Sequence, residues 1–173
     1  MSLILGIDPG SRKTGFGIIN AIGNRHEYIT SGVIRLPTEQ PLPDRLKVLI
    51  DSLTDIIESH CPQQVAVEQV FMAKNAGSAL KLGQARGAAI AACVAQHLEV
   101  AEYSARQIKQ AVVGNGAADK EQVQHMIKML LRLPAVPQED AADALGAAIC
   151  HANTRATLVN LAGVSRIRRG RLR

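Results

Sequence analysis

The stretch Leu3–Gly17, LILGIDPGSRKTGFG, decides how the rest of the chain is read. Leu3 to Ile7 make a short apolar run, and Pro9 and Gly10 end it at once. A run of this kind, bounded by Pro and Gly, reads as a buried strand. Asp8 stands at its end, where the backbone turns. Gly10, Gly15 and Gly17 keep the chain slim around that acid, because glycine permits close approach by a ligand or another backbone. A charge at the end of a buried strand is costly unless a cation meets it. Three readings fit this stretch. One is a metal-dependent nuclease with Asp8 as a ligand. Another is a nucleotide-binding fold of the actin or sugar-kinase kind, whose first phosphate loop also carries Asp-x-Gly. The third is a tight bend that Asp8 caps.

The chain of 173 residues is the size of one domain. A chain this long can bury about 70% of its unfolded surface, so it needs no disulfides. Cys61, Cys93 and Cys150 are scattered and form no C-x-x-C pair, which argues against a zinc site and suits a reducing compartment. No basic region precedes an apolar one at the start, and no apolar run reaches membrane-spanning length. A cytoplasmic protein is expected. The net charge of +5 is uneven. Thr154–Arg173 has no acid and carries Arg155, Arg166, Arg168, Arg169, Arg171 and Arg173, a charge of +6 that leaves the body at −1. Residues 154–173 are therefore read as a basic, flexible C-terminal tail and 1–153 as the folded domain. A basic tail strengthens non-specific attraction to nucleic acid. Two further segments, Gln69–Leu98 and Tyr103–Ala118, also lack acids and suggest a positive face.

Along the chain, Phe16–Asn20 and His26–Arg35 read as strands joined by a Gly23-Asn24 hairpin turn. Leu46, Leu49, Ile50, Leu53, Ile56 and Ile57 form a helical stripe that ends near His60. Gln64–Val70 is a second buried strand, with Val65, Val67 and Gln69 on one face and Ala66 and Glu68 on the other. A long Ala- and Gly-rich helix follows from Ala76 or Ser78 to Leu98. Its small-residue stripe, Gly83, Gly87, Ala88 and Ala91, suits close packing inside the fold or against another subunit. Val100–Tyr103 is a short strand. Ser104 with Gln107, and Asp119 with Gln122, fit helix capping boxes. The last helix starts near Gln138. The histidines lack metal-ligand spacing, and neither a Ser-His-Asp order nor a G-x-x-x-x-G-K-[ST] loop occurs.

Asp140 and Asp143 lie three apart at the start of that last helix, on nearly one face. Taken alone they complement the helix dipole, as does Glu139. Together with Asp8 and Glu68 they suggest something else. A helix start can lie across the ends of central strands, and four carboxylates meeting there would repel one another without cations. Hard oxygen ligands at high negative charge select Mg²⁺ or Mn²⁺. Two such ions about 3.5–4 Å apart can clamp both oxygens of a phosphoryl displacement.

In this order and spacing, GIDPGSRKTGFG, AVEQVFMAKNAGSALKLGQARG and DAADAL resemble the RuvC family of bacterial Holliday junction resolvases. The likeness runs from Leu3 to about Ala152. It implies an α/β fold of the ribonuclease-H-like kind, a five-stranded mixed sheet flanked by helices on both faces. It implies a homodimer that binds a four-way DNA junction and nicks two strands of like polarity, working with the RuvA and RuvB branch-migration complex. It places the catalytic and metal-binding acids at Asp8, Glu68, Asp140 and Asp143, with Mg²⁺ as cofactor, two per site, and Mn²⁺ as a substitute. It assigns DNA binding to Phe71, as an apolar wedge, and to Lys74, Lys109 and Lys120. The alternatives are a ribonuclease-H-like RNA-processing nuclease and the actin- or sugar-kinase-like nucleotide-binding protein.

Overall fold

The computed structural model describes residues 1–69 and 75–169, with side chains through residue 159. Phe71 and Lys74 lie outside the described residues. The fold begins with three antiparallel strands, β1 (Ser2–Asp8), β2 (Lys13–Ile22) and β3 (Arg25–Arg35). The turn between β2 and β3 has Gly23 at φ +59, a left-handed conformation that glycine adopts without strain. Helix α1 (Leu42–His60) then crosses to β4 (Gln64–Gln69), which pairs in parallel with β1. Helix α2 (Ala76–Ala95) leads to β5 (Val100–Ser104), parallel to β4. The five strands form one mixed sheet in the order β3-β2-β1-β4-β5. Three helices complete the fold: α3 (Ala105–Val113), α4 (Lys120–Leu130) and α5 (Glu139–Arg169).

Period-2 alternation in the strands divides the core into two layers. Leu5, Ile7, Val65 and Val67 pack against Leu49, Leu53 and Ile57 of α1 and Ala85, Ala89 and Cys93 of α2. Ile4 and Ala66 face the other way, onto α3, α4 and α5 through Ile108, Val123, Ile127, Leu145 and Ile149. Asp8 and Glu68 are in step with Ile4 and Ala66, so both acids belong to the α5 side of the sheet.

Glycines let α5 settle against β1 and β2. A Cβ on Gly6 would meet the Ala144 carbonyl oxygen at 1.9 Å, and one on Gly15 would meet the Asp140 carbonyl oxygen at 1.9 Å. Close approach by another backbone, rather than by a ligand, is what these two positions require. The expected capping boxes form at both helix starts: Ser104 with Gln107 and Asp119 with Gln122. The 153/154 boundary falls inside α5, which continues to Arg169. What changes there is burial: Ala152 is still in the core, and most described residues beyond it are exposed.

Candidate active site

Asp8 closes β1, and β4 lies beside it with Ile7 paired to Val67, so Glu68 comes next to Asp8 at the same end of the sheet. The turn that follows Asp8 is fixed at three points. The Thr14 hydroxyl donates to the Gly10 carbonyl at 3.2 Å, and the Leu36 amide donates to the Arg12 carbonyl at 2.9 Å. The buried Arg45 guanidinium, reaching from α1, donates to the Ser11 carbonyl. From the other side, the first turns of α5 carry Asp140 and Asp143 across the strand ends. Their position follows from the close seat of α5 on Gly15 and Gly6.

The result is a cleft of about 350 Å³ whose lining includes Asp8, Glu68, Asp140, Asp143, Glu139, Lys109 and Lys120. All four acids named from the sequence are thus brought to one place, with two of the four DNA-binding residues. A hollow of about 590 Å³ elsewhere, around Val113, Met126 and Val136, has no comparable group of acids. Sequence reasoning missed two charged residues of the site. Glu139 pairs with the Lys120 ammonium. Lys13, at the start of β2, brings its Nζ to 3.7 Å from Asp140. Glu139 read as a helix-dipole acid because its partner is 19 residues away in sequence. Lys13 could be found only from the pairing of β2 with β1.

The electrostatics are those of crowded, half-sheltered anions. Burial pushes Asp8 up to about 8, and repulsion from Glu68, Asp143 and Asp140 adds to it, against the pull of Lys120. Burial and Asp143 raise Glu68 to about 7, opposed by Lys109 and Lys120. Asp143 rises to about 6, chiefly through burial, with Lys120 working against it. Lys120 is itself raised, first by its hydrogen bond to Glu139. Five carboxylates stand against three lysines here, so the fully ionised acids would leave a surplus of negative charge.

That surplus, presented by hard carboxylate oxygens, fits divalent cations of the Mg²⁺ or Mn²⁺ type. Among the described residues, no three His, Cys, Asp or Glu groups stand together as a ready-made metal cluster. The Asp140 carboxylate accepts from the Gln138 amide at 2.8 Å and stands 3.7 Å from the Lys13 ammonium.

A mixed sheet of this order, with acids at the ends of its central parallel strands and a helix start laid across them, defines the ribonuclease-H-like class of nucleases. A family model described as "Crossover junction endodeoxyribonuclease RuvC" matches residues 4–151. The chain belongs to the RuvC family. A relative of that description from Saccharophagus degradans is 62% identical over 172 residues, covering 99% of each chain. Another, from Vibrio parahaemolyticus, is 62% identical over 174 residues and covers 100% of each. Among solved structures, "T. thermophilus RuvC in complex with Holliday junction substrate" superposes with a TM-score of 0.85 at 29% identity. It covers 91% of this chain and 96% of that one. The yeast mitochondrial Holliday junction resolvase Ydc2, at 13% identity, TM-score 0.65, and 91% and 82% coverage, shares the fold. Neither the RNA-processing nor the kinase-like alternative draws support from these matches.

Proposed function

We propose that this protein resolves four-way (Holliday) DNA junctions in homologous recombination and repair, as a Mg²⁺-dependent homodimer that nicks two strands of like polarity. One observation carries the reading: three half-buried acids with raised pKa values, from three separate elements, face Lys109 and Lys120 across a single cleft. Perturbed carboxylates in a cleft mark a site where charge changes during a reaction. Asp8, Glu68, Asp140 and Asp143 would hold two Mg²⁺ ions, with Mn²⁺ able to replace them. When bound, the metal supplies an activated water and neutralises charge on the scissile phosphodiester. The chain's own part is orientation. Asp8 and Glu68 are fixed by the sheet, Asp140 and Asp143 by α5, and Lys109 and Lys120 draw a phosphate toward them.

Paired nicks call for two such sites. The exposed row Leu80, Gly83, Gly87 and Val94 on α2 supports the homodimer, because small residues there let a second copy approach closely. The family resemblance supports a wedge role for Phe71, contact of Lys74 with DNA, and cooperation with RuvA and RuvB in the cytoplasm. Among the described residues, no helix is long and apolar enough to cross a membrane.

The test compares a labelled four-way junction with linear duplex of the same sequence, each with Mg²⁺ and with chelator. Paired nicks confined to the junction and to Mg²⁺ are expected. Equal cutting of duplex, or cutting in chelator, contradicts the reading.

A further inference from the structure

The pairing of β2 with β3 sets Lys13 directly opposite Arg35. Residues opposite one another in a ladder share a face of the sheet. Lys13 is in step with Gly15 and Gly17, whose missing side chains face Asp140 and Leu145 of α5. Lys13 and Arg35 therefore lie on the α5 face, at the sheet end where Asp8 pairs with Gly15. Like charges directly opposite in a ladder destabilise it. Positions that break a local rule in this way are where functional or strained sites are expected. Both residues are exposed, and among the described residues Arg35 enters no ion pair.

The location narrows what the pair binds. Lys109 and Lys120 come from α3 and α4, on the β4–β5 side of the cleft, whereas Lys13 and Arg35 stand on the β2–β3 side. A small anion would need one flank only. A nucleic-acid strand presents phosphates in succession, and cations on both flanks suit a strand that runs across the acids from one side to the other.

We propose that Lys13 and Arg35 form a ledge that binds a backbone phosphate of the DNA strand beyond the scissile position, opposite Lys109 and Lys120. In the free protein Asp140 holds the Lys13 ammonium toward the cleft. This orientation reduces what must be ordered when DNA arrives. The inference rests on the proposed DNA-cutting role of the site.

The experiment measures binding of a labelled four-way junction by the full-length protein over a range of KCl concentrations, in chelator so that cleavage and metal do not intervene. The Lys13→Gln/Arg35→Gln double variant should bind more weakly at low salt. Its plot of log affinity against log salt should be shallower by about 0.9 for each phosphate that the protein no longer neutralises. The charge-keeping Lys13→Arg/Arg35→Lys variant should recover the wild-type slope, which a merely structural defect would not do. Wild-type slope and affinity in the double glutamine variant overturn the ledge, and so does a shallow slope in the charge-keeping variant. Failure of the wild type to prefer junction over duplex would strike the proposed function instead. The slopes on duplex would still judge the ledge.

Discussion

Asp8 is the residue on which the site turns. It is raised to about 8 because it is half-buried and surrounded by Glu68, Asp143 and Asp140. Its charge is therefore a burden on the metal-free fold and an asset only when cations are present. Asp8→Asn keeps the shape and removes the charge. Its cleavage of junction DNA should fall by roughly 10²-fold or more, the scale seen when one group that stabilises a transition-state charge is lost. Junction binding should hold or improve: below about pH 8 the metal-free Asp8 is already largely protonated, and above it a phosphate repellent has gone. Measured side by side by gel shift and single-turnover cleavage, a loss of binding as deep as the loss of cleavage would make Asp8 a support of the fold.

At the scale of elements, the seat of α5 on β1 and β2 sets the geometry. Gly15→Ala would drive a methyl group into the Asp140 carbonyl, and the rigid backbone on both sides leaves little room to yield. Overpacking of this kind costs about 1–3 kcal/mol. Thermal melts should show that loss, and cleavage should fall further than stability explains, because Asp140 and Asp143 move with the helix. A Gly15→Ala variant with wild-type melting and cleavage would remove α5 as the positioning element. Much of this scale was legible in the chain. Asp8 and Glu68 stand out as acids at the ends of apolar runs, and the Ser104 and Asp119 caps follow from local chemistry alone. What lay hidden was long-range. The glycines of the first strands fit a helix from the far end of the chain. Lys13 reaches Asp140 through a strand register that no local pattern encodes. The shift at residue 154 is a shift in composition. It tracks where α5 leaves the core, because a helix can continue in solvent after its apolar face has ended.

For the whole molecule, the cleft couples stability to pH and metal. Asp8, Glu68 and Asp143 have folded-state pKa values of about 8, 7 and 6, above their ordinary values of 3.8, 4.5 and 3.8. The folded protein thus holds these protons more tightly than the unfolded chain. Their contribution to stability is full below about pH 4 and is lost as pH rises through the 6 to 8 range. In chelator, the protein should melt several degrees lower at about pH 8.5 than at about pH 5.5. Saturating Mg²⁺ should recover much of that loss at the higher pH, since a ligand that binds only the native state stabilises it. A melting temperature that rises with pH in chelator would mean that the acids are not crowded as described.

The most direct test of the account is crystallographic. Crystals grown or soaked with Mn²⁺ and measured at the manganese absorption edge should show anomalous density in the cleft, bordered by Asp8, Glu68, Asp140 and Asp143. An empty cleft at saturating Mn²⁺, with those carboxylates turned away from one another, would contradict it.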